Sequence, residues 1–223
     1  VGVKVTHLAG TSMGALVAAL HASGVSGKEM ESVAGALRWP ELTAFSPSRL
    51  GLFSTDRMEA LIRRKAGGMQ IQDLPLPLAL IATDISSGEK VVMDRGDLAS
   101  AACASACVPG LFVPVEREGR LLVDGGLLEN LPLSPLKEWQ VERLMAVDVH
   151  MGRTFHRPRN LPELLGNALD MNLGHAARER RDLVDLLITP DTSSWSRADM
   201  EDLPALVREG HRAAMEALEH WPS

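Results

Sequence analysis

Short apolar, β-rich runs alternate along this chain with segments of helical period, and this alternation constrains the fold more than any other feature. Strands are predicted where such runs lie between turn residues, at 3–8, 78–83, 90–93, 111–115, 121–123, 145–149 and 185–188. Helices are predicted at 13–22, from Ser26 to the residue before Trp39, at 56–66 and 97–107, and near 161–182 and 203–219. Strands that alternate with helices are typical of an α/β protein with a largely parallel sheet.

Length and charge limit the classes of protein that this chain can represent. No repeat, linker or low-complexity stretch divides residues 1–223, so we expect a single domain. The 29 acidic and 23 basic side chains give a net charge of −6, which argues against a nucleic-acid partner. Apolar runs such as residues 8–20 are shorter than the roughly 20 residues that span a bilayer. A soluble, globular protein is expected.

A Gly-x-Ser-x-Gly pattern, Gly10-Thr11-Ser12-Met13-Gly14, lies between the first predicted strand and the helix after it. In this setting the pattern predicts a nucleophile elbow, a sharp turn that holds the serine hydroxyl above the end of the sheet. We expect side chains at both glycine positions to clash in such a turn. The backbone N–H of Met13 can then donate to a developing oxyanion, aided by the helix dipole. The alternative is an ordinary βα turn in which Ser12 caps the helix.

A serine hydroxyl is a poor nucleophile until a base accepts its proton. None of the seven histidines lies in a motif, and His150 is the best placed because it follows a predicted strand. Asp124 is a stronger candidate, since it ends the apolar run 121–123 and precedes Gly125 and Gly126. We expect these glycines to remove bulk beside the carboxylate and to allow positive φ. An isolated Asp-Gly pair would more simply be a turn.

These two motifs, in this order, resemble those of the patatin-like phospholipase family, particularly its small bacterial members. The family's Gly-Thr-Ser-x-Gly elbow matches residues 10–14, and its Asp-Gly-Gly matches residues 124–126. Residues 82–85, 104–115 and 127–132 are similar as well, and the similarity weakens after about residue 152. The resemblance therefore covers nearly the whole chain.

The resemblance implies a three-layer α/β/α fold with a mainly parallel central sheet, and a lipid acyl hydrolase with a Ser–Asp dyad. Ser12 would form an acyl-enzyme, and Asp124 would take its proton and later activate water. A free aspartate has a pKa of about 3.9 and is a weak base at neutral pH, so the dyad requires a desolvated site. No metal or organic cofactor is implied. The expected partner is a lipid or acyl-ester substrate, in the cytoplasm or at the periphery of a membrane.

The chain departs from the family pattern at its start. The family carries a glycine-rich loop before the serine, and the backbone N–H groups of that loop form most of the oxyanion hole. Only eleven residues precede Ser12, and Gly2 and Gly10 do not form this loop. Because the chain opens on Val1 and not on Met, we expect the missing strand and loop to lie upstream. Loss of one oxyanion donor would cost about 3–4 kcal/mol.

Two other functions stay open at this point. One is a Ser-His-Asp esterase of the α/β-hydrolase type, with His150 or His175 as the base. The other is a non-catalytic lipid-binding or regulatory module with the same fold. Neither the acyl ester that is cleaved nor the oligomeric state follows from the motifs.

Several further features are interpreted as structural. Cys103 and Cys107, one helical turn apart, are expected to be buried small side chains and not metal ligands. Asp84 is expected to bond the backbone of the turn after its strand. Residues 40–53 are expected to be irregular, with Phe45 and the apolar residues 50–53 in ordinary packing contacts. The charged cluster at 178–181 is expected on a solvated helix face.

Overall fold

The computed structural model describes residues 3–36, 38–150, 155, 157–178, 181–195 and 202–221. Contacts divide the chain into two compact units. The N-terminal unit, Val3–Gln140, contains both the predicted elbow and Asp124, and the C-terminal unit begins at Val141. The expected single domain of residues 1–223 stays a prediction.

Strands and helices alternate in the N-terminal unit. Its strands are β1 (Leu8–Thr11), β2 (Ala44–Phe45), β3 (Gly51–Ser54), β4 (Leu78–Asp84), β5 (Glu89–Met93), β6 (Gly110–Phe112), β7 (Val115–Arg117) and β8 (Arg120–Asp124). Its helices are α1 (Met13–Ala22), α2 (Gly27–Ala36), α3 (Trp39–Leu42), α4 (Asp56–Ala66), α5 (Leu98–Ser105), α6 (Gly126–Glu129) and α7 (Ser134–Glu138), with a 3₁₀ turn at Ile71–Asp73.

Strand β4 is the centre of the main sheet, and all of its residues are buried. Strand β1 runs parallel to it, with Thr11 opposite Ile81 at the end of the ladder. Strand β5 runs antiparallel along β4 from Leu80 to Asp84, and β8 runs antiparallel along β4 from Ala82 to Asp84. Since β5 overlaps both β1 and β8 along β4, it occupies one edge of β4, and β1 and β8 share the other edge.

This shared edge brings two distant parts of the chain together. Thr11 lies opposite Ile81, and Asp124 lies opposite the next β4 residue, Ala82. The carboxyl ends of β1 and β8 therefore meet head to head on one edge of β4. Because Ser12 follows Thr11, the register alone places Ser12 beside Asp124.

Helices cover the main sheet. Helix α1 contacts β1 and β4, and α5 contacts β4 and β8, while α1, α4 and α5 pack on one another. Helices α6 and α7 contact β4 and β1 respectively. The burial of β4 along its whole length is that of a strand covered on both faces, as in an α/β/α arrangement.

The C-terminal unit has a smaller core of its own. Its elements are β9 (Met145–Val147), α8 (Leu161–Arg178), a 3₁₀ turn at Arg181–Leu183, β10 (Leu186–Ile188) and α9 (Leu203–Leu218). Strands β9 and β10 pair in parallel. Leu186 and Ile188 of β10 are buried together with Ala213 of α9.

The α/β fold class is confirmed. Parallel ladders join β1 to β4, β3 to β6, and β9 to β10, as the alternation predicts. Tight turns make the β4–β5 and β7–β8 ladders antiparallel, and β8 is antiparallel to β4 as well. Within the described part of the chain, no helix has both the length and the apolar composition needed to cross a bilayer.

The helices at 13–22 and 56–66 are confirmed residue for residue. Glycines with positive φ follow both, Gly24 at 95° and Gly67 at 72°, in a conformation that only glycine adopts readily. The start of α2 is confirmed too, because the Ser26 hydroxyl accepts from the Glu29 N–H at 3.3 Å. Local sequence signals therefore set these helix ends.

The first strand lies later than predicted, at Leu8–Thr11 and not at 3–8. Its partner explains the shift, because the ladder on β4 begins at Leu78. The preceding Pro77 accepts from the Leu8 N–H at 2.9 Å but has no N–H to donate, so the ladder does not extend further back.

Two other segments differ from the predictions. Residues 40–53, expected to be irregular, contribute to α3, β2 and β3. The two strands form because β3 pairs with the distant β6 and β2 pairs with β3. The run 111–115 is divided between β6 and β7, since Pro114 between them cannot donate a ladder hydrogen bond.

Candidate active site

Ser12 stands at the turn between β1 and α1 in a conformation that is rare for any residue with a side chain. Its φ is 56° and its ψ is −128°. Such a backbone conformation costs a non-glycine residue about 1–3 kcal/mol, and it persists only where the surroundings enforce it. The Ser12 side chain makes no capping hydrogen bond to α1. The geometry is therefore that of a nucleophile elbow and not of an ordinary helix cap.

The two glycines of the elbow differ in how tightly they are enclosed. A Cβ on Gly10 would lie 2.6 Å from the Gly14 carbonyl oxygen and 2.7 Å from the Cα of Ala15. A Cβ on Gly14 would meet nothing within 4 Å. The predicted clash is confirmed at Gly10 and is wrong at Gly14, because Gly14 faces open space in the first turn of α1.

The structure brings Ser12 and Asp124 into direct contact. The Ser12 hydroxyl donates to Oδ2 of Asp124 at 2.6 Å, across 112 positions of sequence. The other carboxylate oxygen, Oδ1, accepts from the backbone N–H of Gly126 at 2.8 Å. Asp124 is only 4% exposed. The carboxylate is therefore shielded from water and oriented by the backbone of its own turn.

Main-chain contacts hold Asp124 in place from both sides. Its N–H donates to the Cys107 carbonyl at 2.9 Å, and its carbonyl accepts from the Thr83 hydroxyl at 3.1 Å. The chain then passes so close to β4 that a Cβ on Gly125 would overlap the Ile81 carbonyl. Gly125 therefore has to lack a side chain, but because of the Ile81 carbonyl and not because of the carboxylate as predicted. The predicted positive φ is wrong at both glycines, since the φ of Gly125 is −68° and Gly126 begins α6.

A second contact between the chain segments that carry Ser12 and Asp124 was not predicted from the sequence. The Thr11 hydroxyl, one residue before Ser12, donates to the backbone carbonyl of Glu129 at 2.9 Å. The Glu129 carboxylate is buried and accepts from the Lys90 ammonium at 2.7 Å and from the Ser134 hydroxyl at 2.6 Å. These contacts link α6, which follows Asp124, to β1, β5 and α7. The available signal was an acidic residue that directly follows Leu127 and Leu128.

Asp84 and Phe45, two further residues singled out in the sequence, both have described contacts. The Asp84 carboxylate accepts from the Ser86 N–H at 3.1 Å and from the Ser87 hydroxyl at 2.9 Å, so its predicted role in the turn is confirmed. The hydrogen bond from Ser86 keeps the pKa of Asp84 below its usual value. Phe45 packs edge-on against Phe53 but is 75% exposed, and Leu50 and Leu52 are 56% and 49% exposed, so the expected packing of these side chains is only partial.

Among the described contacts of the N-terminal unit, no histidine is a hydrogen-bond partner of the Ser12 hydroxyl. His7 lies against the Trp139 ring, with a centroid distance of 5.5 Å, and His21 is exposed on α1. His150 belongs to the C-terminal unit, where its N–H donates to Asp148 at 2.9 Å. His156, the side chain of His175 and the charged cluster at 178–181 lie outside the residues whose side chains are described.

Both cysteines are buried free thiols. Burial raises the pKa of Cys107 to about 12, and the charge of the nearby Asp124 adds to the rise. Burial also raises the pKa of Cys103. Over the part of the chain that is described, no group of three His, Cys, Asp or Glu side chains could hold a metal ion.

The family profile of patatin-like phospholipases matches residues 1–137, which is more than half of the chain and includes the whole site. The chain belongs to the patatin-like phospholipase family. The resemblance expected from the elbow and Asp-Gly-Gly motifs is thus confirmed.

Patatin-like relatives of this chain are found in bacteria and in animals. An uncharacterized NTE family protein of Mycobacterium tuberculosis is 32% identical over 67% of this chain, and a second is 26% identical over 99% of it. Patatin-like phospholipase domain-containing protein 7 of Mus musculus is 32% identical over 66% of this chain. The aligned parts make up 42% of each bacterial protein and 12% of the mouse protein. The chain thus spans less than half the length of these relatives.

The two elbow glycines provide a matched test of the geometry. Gly10→Ala should lower the free energy of unfolding by about 1–3 kcal/mol, because its Cβ meets backbone atoms that cannot move independently. Gly14→Ala should leave stability unchanged or slightly raised, since alanine favours the helix and its Cβ meets open space. Urea unfolding followed by circular dichroism measures both changes. Equal losses in the two variants would contradict the described turn.

The thiols provide a second test. At pH 8 a thiol with a pKa of about 12 carries about one thiolate in ten thousand molecules, and the thiolate is the reactive form. Ellman's reagent should therefore label neither Cys103 nor Cys107 at an appreciable rate in the folded protein. In 6 M guanidinium chloride both thiols should react within minutes, which serves as the control. Rapid labelling of either thiol in the folded protein would show that α5 and the two residues after it are not packed as described.

Proposed function

We propose that this patatin-like protein is a lipid acyl hydrolase in which Ser12 is the nucleophile and Asp124 is its base. The observation that carries the proposal is the 2.6 Å hydrogen bond from the Ser12 hydroxyl to the Asp124 carboxylate. A hydroxyl becomes an effective nucleophile when a positioned base accepts its proton as it attacks. Here that acceptor is a carboxylate.

The reaction would proceed in two halves through an acyl-enzyme. The Ser12 oxygen attacks the ester carbonyl while its proton passes to Asp124. The tetrahedral intermediate then collapses, and the alcohol leaves with that proton. In the second half Asp124 takes a proton from water, the hydroxide attacks the acyl-Ser12 carbonyl, and the proton returns to the Ser12 oxygen as the fatty acid leaves.

The oxyanion of each tetrahedral intermediate needs hydrogen-bond donors. Met13 is the first residue of α1, where a helix leaves its N–H groups without an intrahelical acceptor. The Met13 N–H is therefore a donor beside the Ser12 oxygen, and the dipole of α1 favours negative charge there. We assign it to the oxyanion hole.

Burial suits Asp124 to the role of base. In a site with little water, a hydrogen bond to a carboxylate is electrostatically stronger than in bulk solvent. The Gly126 N–H holds Oδ1, which turns Oδ2 toward the Ser12 hydroxyl. A carboxylate fixed in this way does not have to reorganise when the proton moves.

The surroundings of the pair favour a lipid ester as the substrate. Met13 and Val17 lie one turn apart on α1 and are 61% and 50% exposed, and Leu128 of α6 is 39% exposed. They follow Ser12 and Asp124 closely in sequence, so apolar surface flanks the pair on both elements. An acyl chain would cover these side chains, and the same side chains would contact a lipid surface from its periphery.

The dyad predicts that its two members are equally indispensable. Ser12→Ala and Asp124→Asn should each lower kcat on the order of 10⁴-fold, since removal of either one stops proton transfer from the nucleophile. The measurement is fatty-acid release from mixed micelles of phospholipid or lysophospholipid by the full-length protein.

Three variants serve as controls in the same assay. Asp84→Asn changes another buried aspartate at the end of a strand and should keep most of the activity, as should His150→Ala and His175→Ala. An inactive histidine variant together with an active Asp124→Asn would identify a Ser-His-Asp esterase instead. Absence of turnover in the wild type on every ester would favour a non-catalytic lipid-binding module.

A further inference from the structure

Ser105, the last residue of α5, is a buried polar residue beside the elbow. Its side chain has no exposed surface. Its hydroxyl oxygen accepts from the backbone N–H of Ser12 at 3.0 Å and donates its own proton to the Ile81 carbonyl of β4 at 2.5 Å. Its backbone carbonyl accepts from the Gly125 N–H at 3.4 Å. One residue therefore contacts the main chain at the nucleophile, at the central strand and directly after Asp124.

The backbone of Ser12 depends on this contact. Ser12 follows the last ladder residue of β1, so its N–H lies beyond the sheet pairing. A buried N–H without an acceptor is rare in folded proteins because it costs about as much as a lost hydrogen bond. The Ser105 hydroxyl satisfies this N–H in the turn where Ser12 takes its unfavourable φ of 56°.

The hydrogen bond from Ser105 to Ile81 connects the elbow to the central strand of the sheet. The hydroxyl of Ser105 stands between the Ser12 N–H and the Ile81 carbonyl, so it fixes the spacing between the elbow and β4. Asp124 is fixed to the neighbouring β4 residue, Ala82, by the β4–β8 ladder. Ser12 is thus held against Ile81 through Ser105, and Asp124 is held against the next residue of the same strand, Ala82.

We propose that Ser105 is a positioning residue for the Ser12 nucleophile, an inference that rests on the proposed function. Its hydroxyl holds the strained elbow so that the Ser12 oxygen stays in line with Asp124. Without it the Ser12 N–H and the Ile81 carbonyl both lose a partner, the turn relaxes toward ordinary backbone angles, and the Ser12 oxygen moves away from the carboxylate. Such a displacement affects the chemical step and not the binding of the ester.

Helix α5 itself offers a matched control. Alanine occupies most other buried positions of this helix. Ser105→Ala therefore removes one oxygen and leaves a residue that the helix already carries in its buried face. Ser100 lies on the same helix, and its described hydrogen bond uses only its backbone N–H, which donates to Asp97 at 2.8 Å. Ser100→Ala should therefore change neither the elbow nor the reaction.

The first experiment follows amide hydrogen exchange of the elbow in the full-length protein and does not depend on activity. Peptides that cover residues 8–16 should exchange faster in Ser105→Ala than in the wild type, because the Ser12 N–H loses its acceptor. The same peptides should be unchanged in Ser100→Ala. Unchanged exchange in Ser105→Ala would overturn the inference.

The second experiment separates the chemical step from binding. On a water-soluble p-nitrophenyl ester, Ser105→Ala should lower kcat by about 10–100-fold, the range expected from a small misplacement of a reacting group, with KM within about twofold. Ser105→Cys keeps nearly the same shape but offers only a weak donor and acceptor, so its kcat should fall as well. It also replaces the alanine variant if the latter does not fold. Full kcat in the cysteine variant would show that shape and not hydrogen bonding matters, and would overturn the inference.

The two proposals fail in different ways. If the wild type turns over but Ser105→Ala has the same kcat, the inference about Ser105 is wrong and the dyad stands. If the wild type turns over neither this ester nor the lipid esters, the proposed function is wrong, and the exchange experiment still decides whether Ser105 holds the elbow.

Discussion

One edge of β4 organises the site. Strand β1 arrives along this edge in parallel and ends opposite Ile81, and β8 arrives from the other direction and ends opposite Ala82. A one-residue shift in either ladder would turn its side chains to the opposite face of the sheet. Since β4 is buried throughout, such a shift would bury the wrong residues. Core packing therefore fixes the register, and the register fixes the contact between Ser12 and Asp124.

The other features of the site keep the ends of β1 and β8 close together. Gly10 lets the elbow fold tightly onto α1, and Gly125 lets the chain pass over the Ile81 carbonyl without a clash. The Thr11 hydroxyl donates to the Glu129 carbonyl, and the Ser105 hydroxyl accepts from the Ser12 N–H, so each hydrogen bond joins the elbow to a distant part of the chain. These contacts surround a residue in a strained conformation, which is where a protein must supply compensating interactions.

The sequence predicts well what depends on neighbouring residues and poorly what depends on distant partners. Helices α1 and α4 follow from periodicity and from the glycines that end them, and the elbow follows from its motif between strand and helix. Strand β1 was misplaced because its limits depend on where Pro77 interrupts the partner strand. The short sheet of β2, β3 and β6 was missed because β3 and β6 are brought together only by the fold.

The same distinction holds within the site. Ser12 and Asp124 were singled out because each lies in a motif, but the motifs do not show that β1 and β8 meet head to head on one edge of β4. Ser105 and Glu129 carry no motif of their own, and their contacts span 93 and 118 positions to the elbow. The different demands on Gly10 and Gly14 are likewise visible only once the helix is in place.

The central claim is that the Ser12 hydroxyl gives its proton to Asp124, and covalent labelling of the full-length protein tests it most directly. A fluorophosphonate should attach to Ser12, as located by tandem mass spectrometry of the digested adduct. The labelling rate should fall by at least about 100-fold in Asp124→Asn, the effect expected from loss of a general base. An adduct on another residue, or an undiminished rate in Asp124→Asn, would contradict the account.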